Sequence, residues 1–186
     1  AVAVANAAFQ EWRSSSVAKR TEAMFNLRNL EKQNASELAA KITAEHGKVH
    51  SDAMGEVARG LENIEFACGV PHLLKGGFSE QAATGVDVYS IRQPLGVVAG
   101  ITPFNFPLNL VAHKLGPALA AGCPFVLKPA PQTPLSAWVL IHWLHADPAL
   151  PAGFANLVLC DHAAAAPLVE DPRLRFLSFT GSDAVG

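Results

Sequence analysis

The sequence predicts an α/β fold in which N-terminal helices precede an incomplete, Rossmann-like parallel sheet with helices on both faces. Residues 1–70 repeat apolar side chains at the three- and four-residue spacing of helices. After Pro94, short apolar runs alternate with helical segments. These runs lack the apolar–polar alternation of a half-exposed strand, which favours a parallel sheet covered on both faces.

The composition argues against several classes of protein. The chain has 186 residues, enough for one domain with a core, and a net charge of −2. That charge gives no electrostatic basis for binding nucleic acid or an anionic membrane. No apolar run reaches the ~18 residues that a membrane span needs. Only 16% of the residues are charged, so we expect part of the surface to be covered by a partner or by missing chain.

Three widely separated cysteines, Cys68, Cys123 and Cys160, argue against a disulfide framework. We interpret them as structural thiols in a protein of the reducing cytoplasm. Cys160 and His162 could form a nucleophile–base pair, but the apolar neighbours of Cys160 favour a structural role. No cysteine–histidine spacing typical of a metal site occurs, so no metal is expected.

Helices are predicted at 1–12, 17–33, 34–46 and 51–67. A capping box led by Asn34 is expected to begin the third helix, and Gly47 to end it. Lys19 and Arg20 of the second helix are interpreted as part of a solvated face. The inward-facing stripe of the fourth helix is predicted to contain Met54, Val57, Leu61, Ile64 and Phe66.

Residues 86–92 alternate apolar and polar side chains and predict a half-buried strand. The strand has no predicted neighbour, so it needs a sheet supplied by the rest of the fold or by another subunit. Thr133, followed by Pro134, is expected to cap a helix farther along the chain. The strands of the main sheet are predicted at 97–101, 124–128, 155–159 and 175–179, and its helices at 108–121, 135–145 and 162–169.

The stretch Ile101-Thr-Pro-Phe-Asn-Phe-Pro107 joins the first of these strands to its helix. Pro103 and Pro107 restrict the backbone, and the turn holds one polar residue, Asn105, which looks buried. Asn105 has two interpretations. Its amide could donate a hydrogen bond to a reacting oxygen, or it could be the N-cap of the following helix.

Three other polar positions also have two interpretations each. Lys128 ends a predicted strand, where it could bind a ribose or phosphate or could be a surface lysine. Ser182, in Phe179-Thr-Gly-Ser182, could cap a helix whose free N–H groups bind a pyrophosphate, or could lie in an ordinary turn. Lys114 is a solvated helix position unless a site lies beside it.

The motif order closely resembles the aldehyde dehydrogenase superfamily across residues 90–186. The matching segments are Gly96–Pro107, Lys114–Gly122, Val126–Ala130, Thr133-Pro134 and Phe179–Ser182. Residues 1–83 are similar to the helical part of the family's cofactor-binding domain, residues 84–93 to its oligomerisation strand and residues 94–186 to part of its NAD(P)-binding sheet.

The resemblance implies a role for specific residues. Asn105 would supply an oxyanion-hole amide, and Lys114 would act near it, in a proton relay. Lys128 would bind a ribose and Ser182 the pyrophosphate. Pro131 stands where NAD-preferring relatives often have a glutamate, so the cofactor would be NAD or NADP. The implied cofactor-binding set is Ile101, Thr102, Pro103, Phe104, Lys128, Ala130, Pro131, Gly181 and Ser182.

The resemblance also implies that the catalytic domain is absent from this chain. No cysteine here lies in the motif of the family's nucleophile, and that cysteine and the general-base glutamate are expected beyond residue 186. The chain alone is therefore expected to be inactive, although the family oxidises aldehydes through a cysteine thiohemiacetal and forms homo-oligomers. The alternative is a non-catalytic fragment that binds nucleotide or associates with itself.

The two parts of the chain resemble different branches of the family. Residues 1–96 resemble methylmalonate-semialdehyde dehydrogenases, which pass the acyl group to coenzyme A. Residues 108–186 resemble hydrolytic enzymes that act on small aldehydes such as phosphonoacetaldehyde or lactaldehyde. A mosaic chain, natural or constructed, is one hypothesis that explains this difference.

Overall fold

The structure, a computed structural model, describes all 186 residues. No helix is both long enough and apolar enough to span a membrane. Six strands are present: β1 (Phe78–Ala83), β2 (Val86–Tyr89), β3 (Val97–Ile101), β4 (Phe125–Lys128), β5 (Ala155–Leu157) and β6 (Leu174–Phe179). The eight helices are α1 (Val2–Trp12), α2 (Val17–Gln33), α3 (Ala35–His46), α4 (His50–Cys68), α5 (Val70–Leu73), α6 (Asn109–Ala121), α7 (Leu135–Ala146) and α8 (Pro167–Glu170).

The main sheet has the strand order β5-β4-β3-β6, and every neighbouring pair is parallel. The chain moves outward from β3 to β4 and β5, then crosses back to place β6 on the other side of β3. The connections therefore diverge between β3 and β6, which is the topological switch point where α/β sheets bind ligands. The predicted α/β fold is confirmed.

Helices cover both faces of this sheet, and alternate residues of β3 show it. Val98 packs into the larger core, which contains buried side chains of α2, α3, α4, α6 and α7. Val97 and Ala99 point to the opposite face, where they pack with Ala5 of α1 and Leu168 of α8. Burial on both faces explains why the strands are uniformly apolar.

Helix α4 packs against α6 through small residues. The predicted positions Val57 and Ile64 are buried, but Phe66 is 73% exposed. The other three predicted members are wrong, since Met54 and Phe66 are exposed and Leu61 is half-buried. The stripe is built instead on side chains small enough for close approach. A Cβ at Gly60 would lie 2.5 Å from the Leu108 side chain. The buried stripe is Ala53, Val57, Gly60, Ile64 and Ala67.

Helix α7 begins at a carboxylate that comes from a distant part of the chain. The Glu45 carboxylate accepts hydrogen bonds from the Leu135 and Ser136 N–H groups at the start of α7. The cap predicted at Thr133 is therefore wrong. A capping box can be recognised from neighbouring residues, whereas a cap that lies 90 residues away in the sequence cannot.

The capping box predicted at Asn34 is also wrong. Asn34 lies at the start of α3, but its side chain makes no capping bond there. It donates instead to the Leu30 carbonyl of the preceding helix. Gly47 does end α3, with the positive φ of 85° that favours glycine.

Arg20 was interpreted as part of a solvated face, and it is buried. Its guanidinium donates to the carbonyls of Ala121 and Arg13. The side chain thus joins α2 to the end of α6. A guanidinium can be buried in this way because carbonyl oxygens accept its N–H groups.

The strand predicted at 86–92 is shorter than expected and is not isolated. It forms an antiparallel hairpin in which β2 pairs with β1. Every residue of both strands is exposed, so the predicted half-burial is wrong. The sequence hid β1 because a bulge between Ser79 and Ala83, with Gln81 at φ 51°, interrupts its alternation.

Glu31 of α2 is buried in the helical layer without a hydrogen-bond partner. Its residue is 0% exposed, and both carboxylate oxygens are unpaired. Burial, reinforced by the nearby charge of Glu65, raises the pKa of Glu31 to about 8. The folded protein therefore holds this group protonated at neutral pH, whereas the unfolded chain does not.

The free energy of unfolding is expected to fall as pH rises from the ordinary glutamate pKa of 4.5 to about 8. Over that range the folded state binds more protons than the unfolded state. Glu31 alone therefore lowers the free energy of unfolding by at most ~1.4 kcal/mol per pH unit. Glu31→Gln removes the titrating proton. Urea unfolding should therefore show Glu31→Gln gaining stability over the wild type between pH 5 and pH 8. Exposed Glu22 on the same helix provides the control Glu22→Gln, and equal pH profiles for the two variants would contradict the assignment.

Candidate functional site

The strand register aligns three residues at the carboxyl edge of the sheet. Ile101 of β3 pairs with Lys128 of β4 on one side and with Phe179 of β6 on the other. The segments that follow these strands leave the sheet at the same edge. They enclose a cleft of about 260 Å³ at the switch point between β3 and β6.

All nine residues that the resemblance assigned to cofactor binding line this one cleft. The structure thus brings together positions that are up to 81 residues apart in sequence, from Ile101 to Ser182. Sequence reasoning missed other lining residues, although applying the strand-end rule to β5 would have drawn attention to His162. The missed residues are Gln132, His162, Phe179, Thr180 and Val185.

Lys128 is buried at the end of β4, with 2% of its surface exposed. The interpretation as a surface lysine is therefore wrong. Its ammonium donates a long hydrogen bond of 3.4 Å to the Pro129 carbonyl. No aspartate or glutamate lines the cleft, so the charge of Lys128 faces it without an opposing carboxylate. Such a cleft favours an anionic or hydroxyl-rich ligand.

Thr102 adds a second polar group to the cleft wall. Its residue is 3% exposed, and its hydroxyl has no hydrogen-bond partner within the protein. A buried hydroxyl without a partner is unfavourable. Thr102 therefore places one unsatisfied, buried hydroxyl in the cleft wall.

Lys114 of α6 extends beneath the sheet instead of into solvent. The residue is 8% exposed, and its ammonium donates to the hydroxyls of Ser178 at 3.0 Å and Thr180 at 2.7 Å. Burial lowers the pKa of Lys114. The lysine thus contacts the cleft wall through Thr180, and its interpretation as a solvated residue is wrong.

Asn105 lies on the exposed turn between β3 and α6 and does not line the cleft. The expectation that it is buried is wrong, because the turn projects beyond the sheet edge. Asn105 is not a helix cap either, since α6 begins at Asn109 and Glu56 accepts its first N–H groups. The Asn105 backbone carbonyl accepts a hydrogen bond of 2.9 Å from Lys48.

The segment after β6 turns back immediately at Ser182. The N–H groups of Val185 and Gly186 both donate to the Ser182 carbonyl, as in a first helical turn. Gly181 and Ser182 precede that turn and line the cleft. Backbone N–H groups at the start of a helical turn are suited to anions.

The three cysteines are free thiols, and Cys123 is buried. Burial raises the pKa of Cys68, which disfavours the reactive thiolate. No group of three histidine, cysteine, aspartate or glutamate side chains is arranged to hold a metal ion.

Comparison with known proteins gives matches that cover the helical layer as well as the parallel sheet. Malonate-semialdehyde dehydrogenase 2 of Geobacillus thermodenitrificans (strain NG80-2) is 44% identical over 185 residues, which are 100% of this chain and 38% of that protein. The chain thus spans little more than a third of the length of this relative.

Solved structures have the same fold. A protein of Sinorhizobium meliloti 1021, described as a methylmalonate-semialdehyde dehydrogenase and complexed with NAD, is 40% identical with a TM-score of 0.94. The match covers 99% of this chain and 37% of that one. An NADP-dependent enzyme of E. coli is 37% identical with a TM-score of 0.93, covering 100% of this chain and 38% of that one.

The family model described as "Aldehyde dehydrogenase family" matches residues 1–186. This match spans the helical layer, the hairpin and the parallel sheet, and it agrees with the resemblance found in the motifs around Asn105 and Lys128. The chain therefore belongs to the aldehyde dehydrogenase family.

Proposed function

We propose that this chain forms the NAD(P)-binding part of a dehydrogenase that oxidises a small aldehyde. The observation that carries the proposal is the cleft at the switch point, which is lined by all nine residues assigned to the cofactor and by no carboxylate. The names of the relatives support a semialdehyde as the substrate.

The cleft residues suit the parts of a dinucleotide. Lys128 would donate to the ribose hydroxyls, and the backbone at Gly181 and Ser182 would bind the pyrophosphate. When bound, the nicotinamide ring accepts the hydride of the aldehyde. The chain's own residues bind and orient the cofactor.

Either NAD or NADP would fit this cleft. Pro131 supplies no carboxylate to accept from the two ribose hydroxyls or to repel a 2′-phosphate. Both cofactors occur among the similar structures, since the S. meliloti protein is complexed with NAD and the E. coli enzyme is described as NADP-dependent.

Asn105 and Lys114 would act on the aldehyde side. The exposed amide of Asn105 would donate to the oxygen that becomes negative when a thiol adds to the carbonyl. Lys114, whose pKa burial lowers, would exchange a proton through the hydroxyl of Thr180.

The nucleophilic cysteine and the general-base glutamate would come from the part of the relatives' length that this chain does not span. Addition of that cysteine to the aldehyde would give a thiohemiacetal, and loss of its hydride to the bound NAD(P) would leave a thioester. That thioester would be hydrolysed or passed to coenzyme A. We also place the protein in the cytoplasm, where free thiols persist.

Self-association is part of the same proposal. Phe78, Val88 and Tyr89 of the exposed hairpin are apolar and open to solvent. A two-stranded sheet with both faces exposed is marginally stable alone, which favours pairing with another subunit.

Isothermal titration of NAD and NADP into the purified chain tests the cofactor proposal. We expect heat of binding with at least one of them, and Lys128→Met should weaken that binding about tenfold to a hundredfold, since it removes a charge-assisted hydrogen bond of ~1.5–3 kcal/mol. Lys32→Met, on the exposed end of α2, is the matched control. Absence of heat with both cofactors would contradict the proposal and favour a structural fragment.

Pro131→Glu is expected to shift the cofactor preference toward NAD. A carboxylate beside Lys128 would accept from ribose hydroxyls and repel a 2′-phosphate, so the ratio of the NADP Kd to the NAD Kd should rise at least ~10-fold. Pro131→Gln, which has similar size and no charge, is the control. A ratio that rises equally for both variants would show that charge at this position does not select the cofactor.

The purified chain is expected to form no NAD(P)H from malonate semialdehyde or methylmalonate semialdehyde. None of its cysteines lies in the family's nucleophile motif, and the thiol step cannot start without a thiolate. Absorbance at the wavelength of the reduced nicotinamide measures this directly. Aldehyde-dependent turnover by these 186 residues would overturn the division of roles proposed above.

A further inference from the structure

The end of α3 and the turn that follows it hold four consecutive residues, Glu45 to Lys48, whose function the cofactor cleft does not explain. Gly47 takes a φ of 85°, which reverses the chain sharply and directs its neighbours toward the sheet edge. His46 and Lys48 contact the loop that follows β3, and Glu45 contacts the start of α7, which follows β4. We call Glu45–Lys48, together with Glu56 of α4, the clamp.

Glu56 is the buried centre of the clamp. Its side chain is 0% exposed, and one carboxylate oxygen accepts from the N–H groups of Leu108 at 2.8 Å and Asn109 at 3.2 Å. The other oxygen accepts from Lys48 at 2.6 Å. A negative charge at this end of α6 also interacts favourably with the helix dipole.

Lys48 connects that carboxylate to the turn that carries Asn105. Its ammonium donates to the Asn105 carbonyl at 2.9 Å and lies 4.5 Å from the centre of the Phe106 ring. The Lys48 side chain is only 12% exposed, so water screens these contacts weakly. Lys48 and Glu56 thus hold the backbone at Asn105 itself and at Leu108 and Asn109, which follow it.

The other clamp residues hold the neighbouring segments. His46 stacks on Phe104 with ring centres 6.2 Å apart, and Glu45 caps α7 after β4. Thr133 at the start of α7 donates to the Phe104 carbonyl at 3.5 Å. The loops after β3 and β4 are therefore joined to each other and to the clamp.

We infer that Lys48 and Glu56 are positioning residues that set the location of the Asn105 amide for the reaction. The inference rests on the proposed function of Asn105. The Asn105 side chain makes no hydrogen bond within the protein, so its backbone anchors determine where the amide points. Lys48 binds that backbone directly, and Glu56 orients Lys48 and the first turn of α6.

Amide hydrogen exchange on the chain tests the clamp without requiring activity. Glu56→Gln and Lys48→Met should each speed exchange at the Leu108 and Asn109 N–H groups at least ~10-fold, since one weakens the acceptor and the other leaves a buried charge unpaired. Lys41→Met is the matched control, because Lys41 forms an exposed ion pair with Glu37 on α3. Exchange in Lys48→Met equal to that in Lys41→Met would overturn the inference.

A double-mutant cycle in the active dehydrogenase that contains this chain tests the link to Asn105. Asn105→Ala and Lys48→Met are each expected to lower kcat about 100-fold, the size expected for one lost or misplaced oxyanion donor. The double variant should fall within ~3-fold of Asn105→Ala, because Lys48 acts through Asn105. Lys48→Arg, which keeps the charge, should recover most of kcat, and the KM for the cofactor should change less than ~3-fold.

If the kcat losses of the two single variants multiply in the double variant, Lys48 acts independently of Asn105, and the inference would fail. Full activity of Asn105→Ala would instead overturn the proposed role of Asn105. The exchange measurement would then still decide whether the clamp orders the turn, so the two failures are distinguishable.

Discussion

The buried carboxylate of Glu56 determines how the active edge of this fold is assembled. A helix that follows a parallel strand must have its first N–H groups satisfied, and α6 has no local cap. Glu56 provides the acceptor from α4, and its own charge is paired with Lys48. The helical layer and the sheet are therefore joined by one hydrogen-bonded network, in addition to apolar packing.

Sheet topology then decides where chemistry can occur. Because β6 returns to the side of β3 opposite β4, the segments after these strands diverge and leave a cleft between them. The register places Ile101, Lys128 and Phe179 side by side at its base. The cleft is lined by a basic residue without an opposing carboxylate, an arrangement suited to an anionic ligand.

The sequence predicted the parts of the fold that depend on local pattern. The strands β3, β4 and β6 and the helices α1 and α2 lie where apolar spacing placed them, because uniform burial and helical periodicity are written in neighbouring residues. The failures share a different cause. The caps from Glu45 and Glu56 come from other helices, and the exposed hairpin is interrupted by a bulge, so neither leaves a local signal.

For the candidate site too, local pattern was predictable from the sequence and contacts between distant residues were not. The motifs indicated which residues belong together, and the strand ends brought those of the cleft together. The burial of Lys114 and Lys128 was not visible, since a lysine at a strand end or on a helix is most often solvated. The hydroxyls of Ser178 and Thr180 explain the buried position of Lys114 only once β6 is known to lie beside β3.

The central claim is that the switch-point cleft binds a nicotinamide dinucleotide through Lys128 and the backbone after β6. Mapping amide chemical shifts by NMR as NADP or NAD is added to the chain tests it most directly. The account predicts that the largest changes fall at 101–104, 128–132 and 179–182, the segments that line the cleft. Changes concentrated elsewhere, or none with either dinucleotide, would contradict it.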